Sequence, residues 1–345
     1  MFEVYTPELE RTCPAQPPLG IIEKYSSMQW LRRYSTAGQF ELHCPYNTLL
    51  VPENIVKNGS EAGVIESVII TEAPDQGVMA EVHGRLMLSL LSRRILWGLA
   101  AYRLAAENVI RQLVIDNTAG DRTLGITVAA AQGYTGNIGY QNSYGNLLEE
   151  VSAIAEFAGL GLNISFPDKI FSVYKGLNRT SSQSTNPRAI FSRQFENVLS
   201  SEYAYDKKEY KNVALIAGQG EGEERLTTTI GTAIGLDRHE MYVDARDIGP
   251  GAALDPIDEP TQLLMLAQRG NEKLAENKTT EAFTSIVDPN GNLKYKSDYD
   301  LGDIVEVRDL GIITQPRITE IKEIYENGGM VLELTFGYER VMRIG

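Results

Sequence analysis

The chain has 345 residues, 43% of them hydrophobic and 23% charged, with 32 Lys and Arg against 46 Asp and Glu for a formal charge of −14. That balance excludes a disordered or fibrous chain and supplies enough apolar material for a sizeable core and about two domains. The acidity is opposite to a nucleic-acid binder's footprint, because phosphate affinity comes mainly from Lys and Arg; solubility is its plainest use.

The opening Met-Phe-Glu-Val-Tyr has neither a basic nor an apolar leader, so no secretory signal is expected. Cys13 and Cys44 form neither a disulfide framework nor a Cys-x-x-Cys metal site, and free thiols fit a chain made in the cytoplasm. The first hundred residues read as β-rich. Trp30, Arg32 and Tyr34 alternate ahead of the turn Thr36-Ala-Gly-Gln39, and Phe40, Leu42 and Cys44 alternate after it, which predicts a hairpin. Val64–Thr71 and Val78–Val82 read as a second strand pair about the turn Pro74-Asp-Gln-Gly77. Gly84 is expected to end the sheet pattern, and Leu86–Leu96 switches to helical spacing. The apolar stretch Leu86–Leu104 is broken by Arg93, Arg94 and Arg103 and is not a membrane span.

Tyr102–Ile115 is predicted helical, with Ala106, Val109 and Leu113 on one stripe, and the Gly- and Asn-rich Gly133–Gly145 reads as a loop. A well-signalled helix follows. Asn146 and Glu149 suit a capping box, Leu147, Val151, Ile154 and Ala158 form its stripe, and Gly159 sits where a C-terminal cap belongs. Residues 99–163 therefore read as a mainly helical insert. Strands are predicted at Ile170–Tyr174, Ala189–Ser192, Val213–Ala217, Leu226–Ile230 and Met241–Ala245. A helix begins near Pro260, carries Leu263, Leu264 and Ala267 towards Leu274, and is weakest at Gly270. Ala282–Val287 and Leu293–Lys296 suggest a hairpin across Asp288-Pro-Asn-Gly291. Near the end, Ile304, Val305 and Val307 are β-formers after a Gly/Asp turn. Asn327-Gly-Gly329 suits a tight reversal, and Met330, Leu332, Leu334 and Phe336 put one apolar face on the strand beyond it.

The segments Asp298-Tyr-Asp-Leu-Gly-Asp-Ile-Val-Glu-Val307 and Arg317-Ile-Thr-Glu-Ile321 also carry a family likeness. With Gly84–Arg94, Val173–Thr180, Ala214–Gly222 and Gly235–Asp247, in that order and spacing, the chain resembles the baseplate-hub, or tail-associated, proteins of long-tailed siphovirus-type phages. Such hubs are similar to those of contractile tails and type VI secretion spikes. The resemblance implies an α+β, β-dominated fold of two β-barrel-like tube domains with inserted smaller α/β domains. It places the first tube domain at residues 1–98, a helical insert at 99–163, the second tube domain at 164–256 plus 298–345, and a helix-hairpin insert at 257–297. It implies a homotrimeric ring at the virion tail tip, assembled in the host cytoplasm. The expected partners are the distal tail protein, the tape-measure protein and tip or receptor-binding proteins, with genomic DNA passing through without specific binding. Since the chain stops just after the second tube domain, any fibre, carbohydrate-binding or hydrolase activity is expected in other chains.

Read for chemistry, the residues single out no catalytic, cofactor or metal site, and no enzymatic activity is expected. Gly218-Gln-Gly-Glu-Gly222 follows a strand as a phosphate loop would, but Glu221, Glu223 and Glu224 repel phosphate and no Gly-Lys-Ser/Thr follows; a hairpin loop or bulge is favoured. Asp298, Asp300 and Asp303 could ligate calcium, yet the spacing of a Ca²⁺ loop is missing and a strand-entry turn is favoured. Asp244 and Asp247 around Arg246 read as a charge pair or turn. His43, His83 and His239 are not grouped in sequence; His83 reads as a strand-end side chain and His239 as exposed. Arg93 and Arg94 could bind an acidic surface, but a half-buried helix with a basic edge is the plainer reading, and Trp30 and Trp97 are core residues first. The alternatives to a hub are a tail-associated cell-wall hydrolase and a carbohydrate-binding adhesion module.

Overall fold

The alternation that marks Trp30, Phe40, Leu42, Leu332 and Leu334 buries each of these side chains on one face of a large antiparallel sheet. The computed structural model describes residues 1–7, 20–74, 77–222, 225–252, 255–277, 280–326, 328–337 and 341–343. Cys13, the middle of the 74–77 turn, Glu223, Glu224 and Asn327 lie outside these residues. Among the described residues the large sheet has eleven strands. Seven come from the N-terminal part: β1 (Phe2–Tyr5), β2 (Gly20–Ile22), β3 (Ser27–Arg33), β4 (Gln39–Pro45), β5 (Ile55–Asn58), β6 (Glu61–Ala73) and β7 (Gly77–Leu86). The others are Val198–Asp206, Thr280–Val287, Arg317–Glu326 and Gly329–Gly337. Their order is Val198–Asp206, Thr280–Val287, Gly329–Gly337, Arg317–Glu326, β3, β4, β7, β6, β5, β1, β2. The described strands close no barrel, and Val198–Asp206 and β2 are the edges. The chain is α+β and β-dominated, as its patterns predict.

The two halves meet where β3 pairs with Arg317–Glu326, in register from Ser27 opposite Glu326 to Arg33 opposite Glu320. Both expected N-terminal hairpins are present, β3 with β4 and β6 with β7. Met28, Trp30, Phe40, Leu42, Cys44 and Val82 form the core beneath them, and burial pushes the Cys44 thiol up to about 11. Gly84 corrects the sequence reading. It lies inside β7, because the Phe40 ring, stacked 5.3 Å from Trp30, crosses directly over it. Only a residue without a side chain fits there.

The region 99–163 is less helical than expected. Tyr102–Ala105, predicted as the first turn of a helix, instead lies in a strand, Leu99–Ala105, which pairs with Asn137–Ser143 from within the predicted loop. Helix α1 follows at Ala106–Asn117. Leu86–Leu96 forms only a 3₁₀ turn, Met87–Arg93, in which five successive residues are buried and the Ser92 hydroxyl donates to the Ser89 carbonyl at 2.7 Å. Helix α2, Leu147–Ala158, matches its signals: Asn146 Oδ1 accepts from the Leu148 and Glu149 amides, and Gly159 caps the end at φ +63°. Asn146 also donates to the Ser92 carbonyl at 2.9 Å. Asn146→Ala should therefore cost about 1–2 kcal/mol in chemical denaturation, against a few tenths for Asn146→Gly.

Helix α3, Glu259–Glu276, packs on a three-stranded sheet of Val213–Ala217, Thr227–Ile230 and Glu240–Asp244. Its suspect Gly270 has a packing role, since a Cβ there would meet Ile216 Cδ1 at 2.4 Å. Thr280–Val287 forms no hairpin with 293–296. It inserts between Val198–Asp206 and Gly329–Gly337 in the large sheet, a pairing that local sequence does not encode. No helix among the described residues is long and apolar enough to cross a membrane.

Candidate functional site

Two of the segments that carry the family likeness meet in space. In Val173–Thr180, Gly176 lies so close to Gly302 that a Cβ would fall 2.0 Å from its carbonyl carbon. Asp303, buried, accepts from the Leu177 amide at 2.7 Å, from Arg179 Nε at 2.6 Å and from the Asp300 amide at 3.1 Å. Gly302 takes φ +92° with Tyr34 against it, and Tyr299 packs edge-on to Phe191 at 5.0 Å. Glu306, also buried, accepts from the Ser181 amide and hydroxyl and pairs with Arg308. Burial alone would raise its pKa, but these partners hold it below the usual carboxylate range. The Asp-rich motif is therefore a clasp between segments of one chain: Asp298 and Asp300 accept from the Lys294 and Leu301 amides, as the strand-entry turn predicts.

A second polar cluster crosses the β3 seam. Arg32 pairs with Glu61 and with Asp300, at 2.5 Å for the latter, and donates to the Tyr295 hydroxyl at 2.8 Å. Trp30 Nε1 donates to Glu61 at 3.0 Å. Glu323, 2% exposed, accepts from Tyr295 at 2.9 Å, Tyr325 at 2.5 Å and Asn58 at 2.9 Å, with Lys296 Nζ 3.5 Å away. Burial disfavours the Arg32 charge, yet Glu61, Tyr295 and Asp300 outweigh it and hold the guanidinium well above its ordinary pKa. Burial raises Tyr295 as well. Residues 30–61 and 295–325 are thus tied through side chains as well as through the backbone ladder.

The opposite face of the same strands is open and polar. It forms a shallow concavity of about 450 Å³ lined by Gln29, Gln39, Glu41, His83, Arg85, Lys322 and Glu333, among others. Arg33 pairs with Glu320 at 2.9 Å and Arg85 with Glu66 at 2.8 Å, so these two arginines are neutralised. His83 is mid-strand rather than at a strand end, and β4 and β7 bring it and His43 onto one surface with Glu41 and Glu81. Register between strands forty residues apart decides that grouping, and no local motif announces it.

The other candidates separate. His239 is exposed, edge-on to Tyr210 at 5.3 Å. Asp244 faces Arg246 at 3.6 Å and pairs with Arg225, whereas Asp247 pairs with Arg269 of α3 at 2.9 Å. Gln141 links the same two residues: its carbonyl accepts from Arg269 and its Nε2 donates to the Asp247 carbonyl, each at 2.7 Å. Gly218–Gly222 begins the connection of an antiparallel hairpin, as favoured. Arg93 pairs with Glu53 at 2.8 Å, and Arg94 donates to the Arg122 and Thr123 carbonyls. Trp97 is not a core residue: it is 75% exposed, with the Arg122 guanidinium over its ring at 5.1 Å. Sequence reading missed buried Glu107, which accepts from the amides of Gln132, Gly133 and Tyr134 and fixes that turn.

Comparison with known proteins extends these findings. No curated protein matches the chain. Among solved structures it is similar to the tail protein from Neisseria meningitidis MC58, at 16% identity and TM-score 0.62, over 98% of this chain and 96% of that one. It is also similar to the 43 kDa tail protein of prophage MuSo2 from Shewanella oneidensis, at 11% identity and TM-score 0.59, over 92% and 96%. The prophage tail protein gp18 from Listeria monocytogenes EGD-e shares 11% identity at TM-score 0.56, over 98% and 95%. At such identities the likeness is one of fold. The model of the family described as Siphovirus ReqiPepy6 Gp37-like protein matches residues 3–338, nearly the whole chain. The fold is that of phage tail proteins, and the chain belongs to the Siphovirus ReqiPepy6 Gp37-like protein family.

Proposed function

We propose that this phage tail protein is a baseplate hub, three copies of which form a ring at the tail tip. The ring would join the tail tube, through the distal tail protein, to the tip and would surround the DNA channel. The observation that carries the reading is the continuous sheet, clasped at the β3 seam by Arg32 and Glu323, with one face open and polar. A wall segment needs such a rigid two-part plate. On this reading residues 1–98 supply one tube domain and 164–256 with 298–345 the second, whose sheet also takes in the strand Thr280–Val287, while 99–163 and the remainder of 257–297 form the inserts. The open face would line the channel. Its Arg33 and Arg85 pair with Glu320 and Glu66, leaving little positive charge to hold phosphate, and DNA would slide past it.

Purified tails test this reading. Antibody against the chain should label the tip in negative-stain images, and cross-linking within tails should yield a species of about 115 kDa, three copies of the 38.2 kDa chain. Label along the tail shaft, or absence of the chain from tails, would refute it.

A further inference from the structure

On the open face, Glu41 and His43 of β4 stand directly opposite His83 and Glu81 of β7. Acid and imidazole therefore alternate along each strand and across the pair. His43 Nε2 lies 2.7 Å from Glu41 Oε1, His83 Nε2 lies 2.7 Å from Glu81 Oε1, and His83 Nδ1 is 3.9 Å from Glu41 Oε2. Single ligand atoms of Glu41, His43 and Glu81 all fall within 4.8 Å of one another. The four side chains are 36–39% exposed, so ions in solution reach them. We propose that this quartet is a binding site for a transition-metal dication of the Zn²⁺ class, bridging β4 and β7.

The donor set decides the class. Two imidazoles with two carboxylates suit zinc and its first-row neighbours, whereas Ca²⁺ and Mg²⁺ prefer all-oxygen shells. Metal–ligand bonds of about 2.0–2.2 Å place tetrahedral donors roughly 3.3–3.6 Å apart, so Glu41, His43 and Glu81, and His83 beside them, must draw together by side-chain rotation. The backbone stays fixed by the ladder. Competition from basic groups is small: Arg85 on the same face is engaged by Glu66, and among the described residues neither Glu41 nor Glu81 pairs with a Lys or Arg. Asp298, Asp300 and Asp303 differ in this respect, since backbone amides and Arg side chains occupy their oxygens. The site does not depend on the hub reading.

The chain's three histidines make the test direct. Titration of the intact chain with ZnCl₂ in a calorimeter should show one site per chain, and CaCl₂ at the same concentration should give no heat. In NMR spectra Zn²⁺ should shift the imidazole resonances of His43 and His83 and leave those of His239 in place. His43→Gln and Glu81→Gln should each lower Zn²⁺ affinity by more than about tenfold, while His239→Gln leaves it unchanged. Glu81→Gln keeps size and shape, so it separates lost ligation from lost folding, which circular dichroism checks. The proposal falls if the wild-type chain takes up no Zn²⁺, or if uptake persists in the His43→Gln, His83→Gln double variant.

Discussion

Arg32→Ala should lower the stability of the chain by about 3–5 kcal/mol, read as a shift in urea midpoint. Arg32 itself is only 13% exposed in its side chain, and its removal leaves Glu61, 20% exposed on the wall of a cavity of about 500 Å³, with Trp30 Nε1 as its remaining donor among the described residues. A buried carboxylate that loses its cation costs more than the pair contributed. The Asp300 side chain, 42% exposed, can turn to water, so the Glu61 arm should dominate. A double variant, Arg32→Met with Glu61→Leu, removes both charges and should recover much of the loss. If Arg32→Ala shifts stability by less than about 1 kcal/mol, the cluster does not clasp the seam. The same experiment on exposed Arg238 and Glu240, an ion pair within one segment, should move stability by no more than a few tenths.

Gly84→Val should destabilise the sheet by about 3 kcal/mol or more. A Cβ at this position would stand 2.2 Å from the Val64 carbonyl oxygen and 2.4 Å from Phe40 Cε1. Backbone on one side cannot retreat without breaking the β6–β7 ladder, and the Phe40 ring is held by its stack on Trp30. Phe40→Leu should rescue part of the loss by vacating that space. Gly59→Ala supplies the control: its φ is +61°, but nothing lies within 4 Å of the added carbon, so only backbone strain of about 1 kcal/mol is expected. A Gly84→Val protein with an unchanged thermal midpoint would show that Phe40 moves freely.

Elements written in short-range code were legible in the sequence. Asn146 and Gly159 bound α2 through capping chemistry within a few residues, and the β3–β4 hairpin follows from alternation on both sides of one turn. Elements defined by distant partners were not. Tyr102–Ala105 reads as the first turn of a helix, yet Asn137–Ser143 pairs with Leu99–Ala105 as a strand. Thr280–Val287 has two neighbours in the sheet, one some eighty residues before it and one some fifty after, and neither leaves a trace in the local pattern. Trp97 looks like core by composition, yet it precedes Gly98 at φ +110° on an exposed corner. The His43–His83 surface is of the same kind: each histidine is ordinary alone, and only strand register makes them neighbours.

The pairing of Gln29 with Ile324 also sets a timetable for the newborn chain. At roughly 5–20 residues per second, translation needs on the order of 15–60 s to deliver the strand that covers β3. Throughout that interval one flank of the β3–β4 hairpin presents unsatisfied amides and carbonyls, an invitation to pair with another nascent copy. A co-expressed holdase should consequently raise the soluble yield, and faster elongation through residues 34–326 should shorten the exposure.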